Sequence, residues 1–225
     1  MNLSATDPTD PTSPTDPTDP TDPTNDEFES HLEDWHRRIT IVGDILIVTG
    51  DLHHRESKAE AQLTEWVANG AIGIIDCRIE WSDEQLVAQL APEVAYHHVG
   101  VDDHGGTQSD EWFTAGVTAG LELLSQLETS QRIVVHCHMG VNRGPSMAFA
   151  ILLSLGWGIT ESLSAIRAAR PIAGLIYAGD AVEWFGRRQN WTPEQVADAM
   201  SEVATWQEDN DLDIAAVIRR IRNAQ

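Results

Sequence analysis

Between residues 71 and 155 the chain alternates short apolar, β-branched runs with stretches of helical spacing, and that alternation admits few folds. The runs cover residues 71–77, 95–101 and 132–137. Between and after them lie a short helix opened by Ser82-Asp83-Glu84, an amphipathic stretch over 111–127 and an apolar helix over 144–155. Upstream, residues 38–42 and 45–48 flank Gly43-Asp44, which predicts a hairpin. Residues 56–69 put Ala59, Leu63, Trp66 and Val67 on one helical face and stop at Gly70, as a left-handed C-cap does. Helices are also predicted over 160–169, 178–188, 192–206 and 211–222. Strands that alternate with helices predict an α/β fold, a mostly parallel sheet with helices on both faces.

Ligands of such sheets bind beyond the carboxyl ends of the strands. The chemistry-bearing segments fall there. The run ending at Cys137 is followed by five residues and then Arg143. Cys-x5-Arg at a strand–helix junction can wrap one phosphate, because loop N–H groups point inward, the helix dipole adds positive charge and the Arg fork closes on two oxygens. A thiol at the base of that nest is driven toward thiolate and becomes a nucleophile. Phosphoester cleavage also needs a proton donor for the leaving oxygen. The loop after Val101, Asp102-Asp103-His104-Gly105-Gly106, offers two carboxylates and glycines that let it move over a substrate.

His136-Cys137-His138-Met139-Gly140-Val141-Asn142-Arg143 resembles the His-Cys-x-x-Gly-x-x-Arg signature of the dual-specificity branch of the protein tyrosine phosphatase superfamily. Residues 38–49 resemble that family's opening segment, Val101-Asp102-Asp103-His104 its general-acid loop, and residues 162–171 its helix after the active site. The resemblance spans about residues 38–190. It implies a phosphatase in which Cys137 attacks phosphorus and forms a phosphocysteine. Arg143 and the backbone of His138, Met139, Gly140, Val141 and Asn142 would hold the phosphate, and Asp103, preferred over Asp102, would act as acid and then base. His136 would support the thiolate by hydrogen bonding to nearby backbone, and Gly140 would permit the turn. It also implies a redox role for Cys77 at the end of a neighbouring strand, as partner of Cys137 in a protective disulfide. One departure stands out. The family places Ser or Thr directly after the Arg, where the hydroxyl assists breakdown of the phosphocysteine; here that residue is Gly144, so slow turnover is expected. A phosphate-binding module with little turnover is therefore the alternative reading.

A metal hydrolase is the competing class, prompted by nine histidines and by Gly50-Asp51-Leu52-His53. Adjacent His residues on a strand point to opposite faces, and no further metal-ligand segments accompany them, so neither a metal nor another cofactor is expected. The formal charge of -22 excludes bulk electrostatic attraction to nucleic acid or anionic membranes. Residues 1–34 hold ten acids and no base, yet the remainder still carries 26 acids against 14 bases. Six proline triplets over residues 6–23, five of them Thr-Asp-Pro, predict a disordered acidic tail over 1–30. A catalytic domain is expected over 35–190 and a helical extension over 191–225. Two cysteines and no signal-peptide pattern fit the cytoplasm. The expected substrate is a phosphorylated protein or a small phosphomonoester. The loop side chains His138, Met139, Val141 and Asn142 include no Lys or Arg, which argues against a highly charged inositide. Trp112 is a candidate to flank the pocket, and nothing in the sequence bears on oligomeric state.

Overall fold

The computed structural model describes residues 35–224, so the predicted tail lies outside the described residues. Five strands form one sheet: β1 (Thr40–Val42), β2 (Leu46–Thr49), β3 (Ala71–Arg78), β4 (Ala95–Val101) and β5 (Arg132–His136), in the order β1-β2-β5-β3-β4. Only β1 runs antiparallel to its neighbour. The three-residue hairpin loop that joins it to β2 turns on Gly43 and Asp44, both with positive φ (58° and 57°), and Ile45 N–H donates to Val42 O across the turn.

Eight helices flank the sheet among the described residues: α1 (Glu56–Ala68), α2 (Glu84–Leu90), α3 (Asp110–Leu124), α4 (Arg143–Ser154), α5 (Ile159–Ala169), α6 (Ala178–Gln189), α7 (Pro193–Asp209) and α8 (Ile214–Asn223). Side chains alternate along each strand, which divides the core in two. Leu46, Val48, Ile133 and Val135 face the larger cluster under α3 to α7, whereas Ile47, Ile74 and Val134 face α1 and α2. Helix α4 is buried from Arg143 to Leu153, as its nearly continuous apolar sequence requires. Each Leu, Ile or Phe buried there contributes roughly 1.5–3 kcal/mol, so the helix that leaves the Cys137 loop is firmly anchored.

Where predicted ends moved, capping explains the change. Helix α2 starts at Glu84 rather than Ser82 because the Ser82 hydroxyl accepts from Glu84 N–H while the Asp83 carboxylate turns to Arg78. Helix α8 starts at Ile214, where Asp213 accepts from Ala216 N–H. The C-terminal helices are not bare: Ala199, Val203 and Trp206 of α7 join the larger cluster, and Trp206 Nε1 donates to Ser164 Oγ at 2.9 Å. No helix among the described residues is long and apolar enough to cross a membrane.

Candidate active site

At the carboxyl end of β5 the alternation of the strand decides where each side chain goes. Val135 and Cys137 share the face under α4, and Cys137 is 2 % exposed. The loop that follows bends on Gly140 (φ +64°), where a Cβ would lie 2.2 Å from Arg170 Nη2 and 2.7 Å from the Thr49 backbone. Only glycine fits. Arg170, fully buried at the end of α5, fastens the loop from beneath. It donates to the carbonyls of Gly140 (2.5 Å) and Met139 (3.2 Å), and to those of Trp35, His36 and Arg38. Burial pushes its guanidinium down to about 10, still charged at neutral pH. Arg170→Ala removes the donors of five backbone carbonyls and leaves a cavity, so a loss of roughly 3–5 kcal/mol is expected. Urea unfolding measures it, and a change under about 1 kcal/mol would show the loop holds itself.

Arg143 opens α4. Its Nη1 and Nη2 clasp the Glu80 carboxylate at 2.8 and 2.7 Å, and Nη1 also donates to Val101 O at 2.8 Å. A guanidinium has five N–H donors, and three are thereby used. The two left, Nε–H and one on Nη2, share the side edge of the fork and can take two phosphate oxygens together. Burial opposes the charge on Arg143, but Glu80, Cys137 and Asp103 all favour it. Asp103 completes the group: its Oδ2 lies 3.4 Å from Arg143 Nε, and its Oδ1 accepts from Asn142 Nδ2 (2.7 Å) and Tyr177 OH (2.8 Å). The Asn142 Oδ1 accepts from Ile176 N–H at 2.7 Å, so this loop side chain ties the acid to the start of α6. Asp102 is exposed, and its part here is a backbone carbonyl that accepts from Gln108. The structure thus brings together Cys137, its loop, Arg143 and Asp103.

No protein-family model and no curated protein matches the sequence. Solved structures do. Human DUSP28 is 16 % identical, covers 67 % of this chain and 95 % of its own, and superposes with a TM-score of 0.54. A mouse putative dual-specificity phosphatase complexed with zinc tungstate is 17 % identical, with 69 % and 92 % covered and a TM-score of 0.53. The fold is that of the dual-specificity phosphatases.

Within the dual-specificity phosphatase fold, two expected contributors stand elsewhere. His136, one residue before Cys137 on the strand, points to the opposite face and packs on Trp66 with ring centroids 5.4 Å apart. Neither ring nitrogen has a hydrogen-bond partner, and burial holds the imidazole below its ordinary value. It makes no bond to backbone near the thiol. Trp112 is a core residue: buried, packed on Phe113, with Nε1 donating to Val99 O. Met139 and Val141 are also buried, so of the loop side chains His138 alone reaches solvent appreciably.

Cys77 follows Asp76, which pairs with His136 across β3 and β5, so continuing the register sets Cys77 beside Cys137. Both are free and buried, and burial pushes the Cys77 thiol far up, leaving it protonated. At Gly144 a Cβ would come within 3.1 Å of the His136 carbonyl carbon and 3.2 Å of Cys137 N. A side chain there demands that the strand end give by a few tenths of an ångström.

Sequence reasoning missed the group around Asp51. Its buried carboxylate accepts from His138 Nδ1 at 2.7 Å and from Arg37 Nη2 at 2.8 Å, with His36 Nε2 at 3.2 Å. Burial opposes its charge, but the His138 and His36 hydrogen bonds and the charge of Arg37 hold the carboxyl far below the usual range. The ligand atoms of His36, Asp51 and His138 lie within 4.8 Å of one another, close enough for one metal ion. They fit one poorly. Arg37 occupies the carboxylate, Arg78 lies 3.8 Å from it, and His36 Nε2 is turned to His138 O at 2.9 Å. Two guanidiniums already supply the positive charge a metal would bring.

Proposed function

We propose that the chain is a cysteine-dependent phosphatase that hydrolyses phosphomonoesters through a phosphocysteine, with phosphotyrosine, phosphoserine or phosphothreonine side chains of proteins as substrates. One observation carries the reading: the unfilled side edge of Arg143, placed beside Asp103 and the Cys137 loop. The phosphate lies on that edge and on the loop N–H groups. Cys137 sulfur attacks phosphorus, the bond to the leaving oxygen breaks, and Asp103 delivers its proton to that oxygen. Water then attacks the phosphocysteine, Asp103 takes the water proton, and the S–P bond breaks to return thiolate and inorganic phosphate. Glu80 and Val101 O hold the guanidinium in register throughout.

The lack of a hydroxyl at Gly144 sets the order of the barriers. Without it the departing thiolate loses a donor, so attack is faster than hydrolysis. Rapid mixing with p-nitrophenyl phosphate is expected to show a burst of about one p-nitrophenolate per active site, then a slow steady rate. Acid quenching within the burst should trap phosphate on Cys137. The same feature favours a binding module with little turnover. Binding of inorganic phosphate with no burst and no trapped phosphate would establish that alternative and sink the phosphatase reading. Gly144→Ser is expected to raise the steady rate relative to the burst. Equal ratios in variant and parent would remove the hydroxyl from the account.

A further inference from the structure

Trp81 is a large apolar side chain left at the surface beside the Cys137 loop. It is 44 % exposed, and its ring meets that of His138, the residue after Cys137, edge-on at 5.2 Å. It also follows Glu80, which clasps Arg143. The indole is held in place: the Arg78 guanidinium carbon lies 5.0 Å from its centroid. Arg78 is fully buried and is fixed in turn by Asp76 at 2.8 and 2.6 Å and by Asp83 at 2.5 Å. With a cation over its ring and an imidazole against it, Trp81 offers its open area already ordered, so a guest that covers it meets little further loss of side-chain freedom.

Trp81 and His138 are also walls of a cavity of about 1010 Å³ at the carboxyl end of β2. The other walls define its guest. Leu52 and Ile221 are buried apolar residues, and Leu86 of α2 is a partly buried one. The bases Arg37, Arg55 and Lys58 stand against the acids Asp51, Glu56 and Asp83, so their formal charges cancel. A charged guest therefore gains little from the cavity as a whole. A neutral guest with a flat apolar face covers Trp81 and Leu86, takes their area out of water and stacks on the indole. The cavity lies beside the loop and not beneath it, with His138 between. Its guest must therefore be joined to the phosphate-bearing group through a spacer, which a polypeptide supplies.

We propose that this cavity is a specificity subsite with Trp81 as its platform, and that it receives an aromatic side chain of a protein substrate, a few residues from the phosphorylated one. The proposal rests on the phosphatase reading and narrows its substrates to phosphoproteins with an aromatic residue at that distance. A small aryl phosphate reaches Cys137 without touching Trp81, so the subsite acts on recognition and not on the chemical step.

A phosphotyrosine peptide of otherwise alanine and glycine residues tests it with full-length protein, a phenylalanine being moved position by position along both flanks. At one position phenylalanine is expected to raise kcat/KM about tenfold over alanine, carried by KM, as one stacked and buried ring warrants. Lysine or glutamate at that position should bring no gain. Trp81→Ala should bring the phenylalanine-to-alanine ratio close to one and leave kcat for p-nitrophenyl phosphate near that of the parent. Trp81→Phe, which keeps a ring, should retain most of the preference. Leu86→Gln alters the wall from α2 and should lower the ratio too, which decides the matter if Trp81→Ala does not fold. The subsite is overturned if no position gains more than about twofold, if lysine or glutamate gains equally, or if the preference survives Trp81→Ala. An equal fall for the peptide and for p-nitrophenyl phosphate in Trp81→Ala would also overturn it, since the indole would then merely support the loop. Turnover of p-nitrophenyl phosphate by the parent reports on the phosphatase reading alone. If it is absent, calorimetric binding of the same peptides to Cys137→Ser still decides the subsite, with equal affinities for the phenylalanine and alanine peptides counting against it.

Discussion

Cys137→Ser should lower turnover of p-nitrophenyl phosphate by at least about 10⁴-fold, because an unactivated hydroxyl replaces the nucleophile and only binding and electrostatic contributions survive. A serine hydroxyl is far less acidic than a thiol, and His136, the residue before it, lies on the other face of the sheet. Binding of inorganic phosphate should change little, since the side edge of Arg143 and the loop N–H groups are untouched. The substitution is nearly isosteric in a site that is 2 % exposed, so thermal unfolding should move by only a few degrees. A variant that keeps a tenth of the parental rate would show that Cys137 is not the nucleophile. One that loses phosphate binding together with turnover would show that the loop had collapsed, and Cys137→Ala would then separate the two effects.

What could be read from the chain, and what could not, divides by the range of the interactions. The strand, the loop and helix α4 are adjacent in sequence, so apolar runs, Gly140 and the Cys137–Arg143 spacing were enough to place them. The position of Asp103 follows from the rule that sites sit at strand ends. The partners that orient these groups come from far away. Glu80 reaches Arg143 across 63 residues, Tyr177 reaches Asp103 across 74, and Asp51 reaches His138 across 87. No local pattern announces such pairs. His136 is a different case: two neighbours on a strand face opposite ways, so strand alternation alone separates it from Cys137. The loop side chains are a further case: Met139 and Val141 are spent on the core, so their identity says little about what meets a substrate.

Asp103→Asn should lower kcat by roughly 10²–10⁴-fold, and the loss should depend on the leaving group. With an alkyl phosphate such as a phosphoserine peptide the departing oxygen needs a full proton, so the loss lies at the upper end. With p-nitrophenyl phosphate the departing phenolate is stable enough to leave unassisted, so formation of the phosphocysteine suffers little. The dependence on leaving group is the stricter test: asparagine has no proton to deliver, so the variant's rate should fall steeply as the leaving oxygen becomes more basic, whereas the parental rate should fall much less. Asn142 and Tyr177 donate to the Asp103 carboxylate, and an amide oxygen can accept the same two bonds, so the loop should keep its position. Asp102→Asn provides the comparison. Its side chain is exposed and its backbone carbonyl makes the contact to Gln108, so rate and leaving-group dependence should stay near those of the parent. If Asp102→Asn steepens the leaving-group dependence and Asp103→Asn does not, the two carboxylates have exchanged roles, and the bonds from Asn142 and Tyr177 serve to anchor the loop.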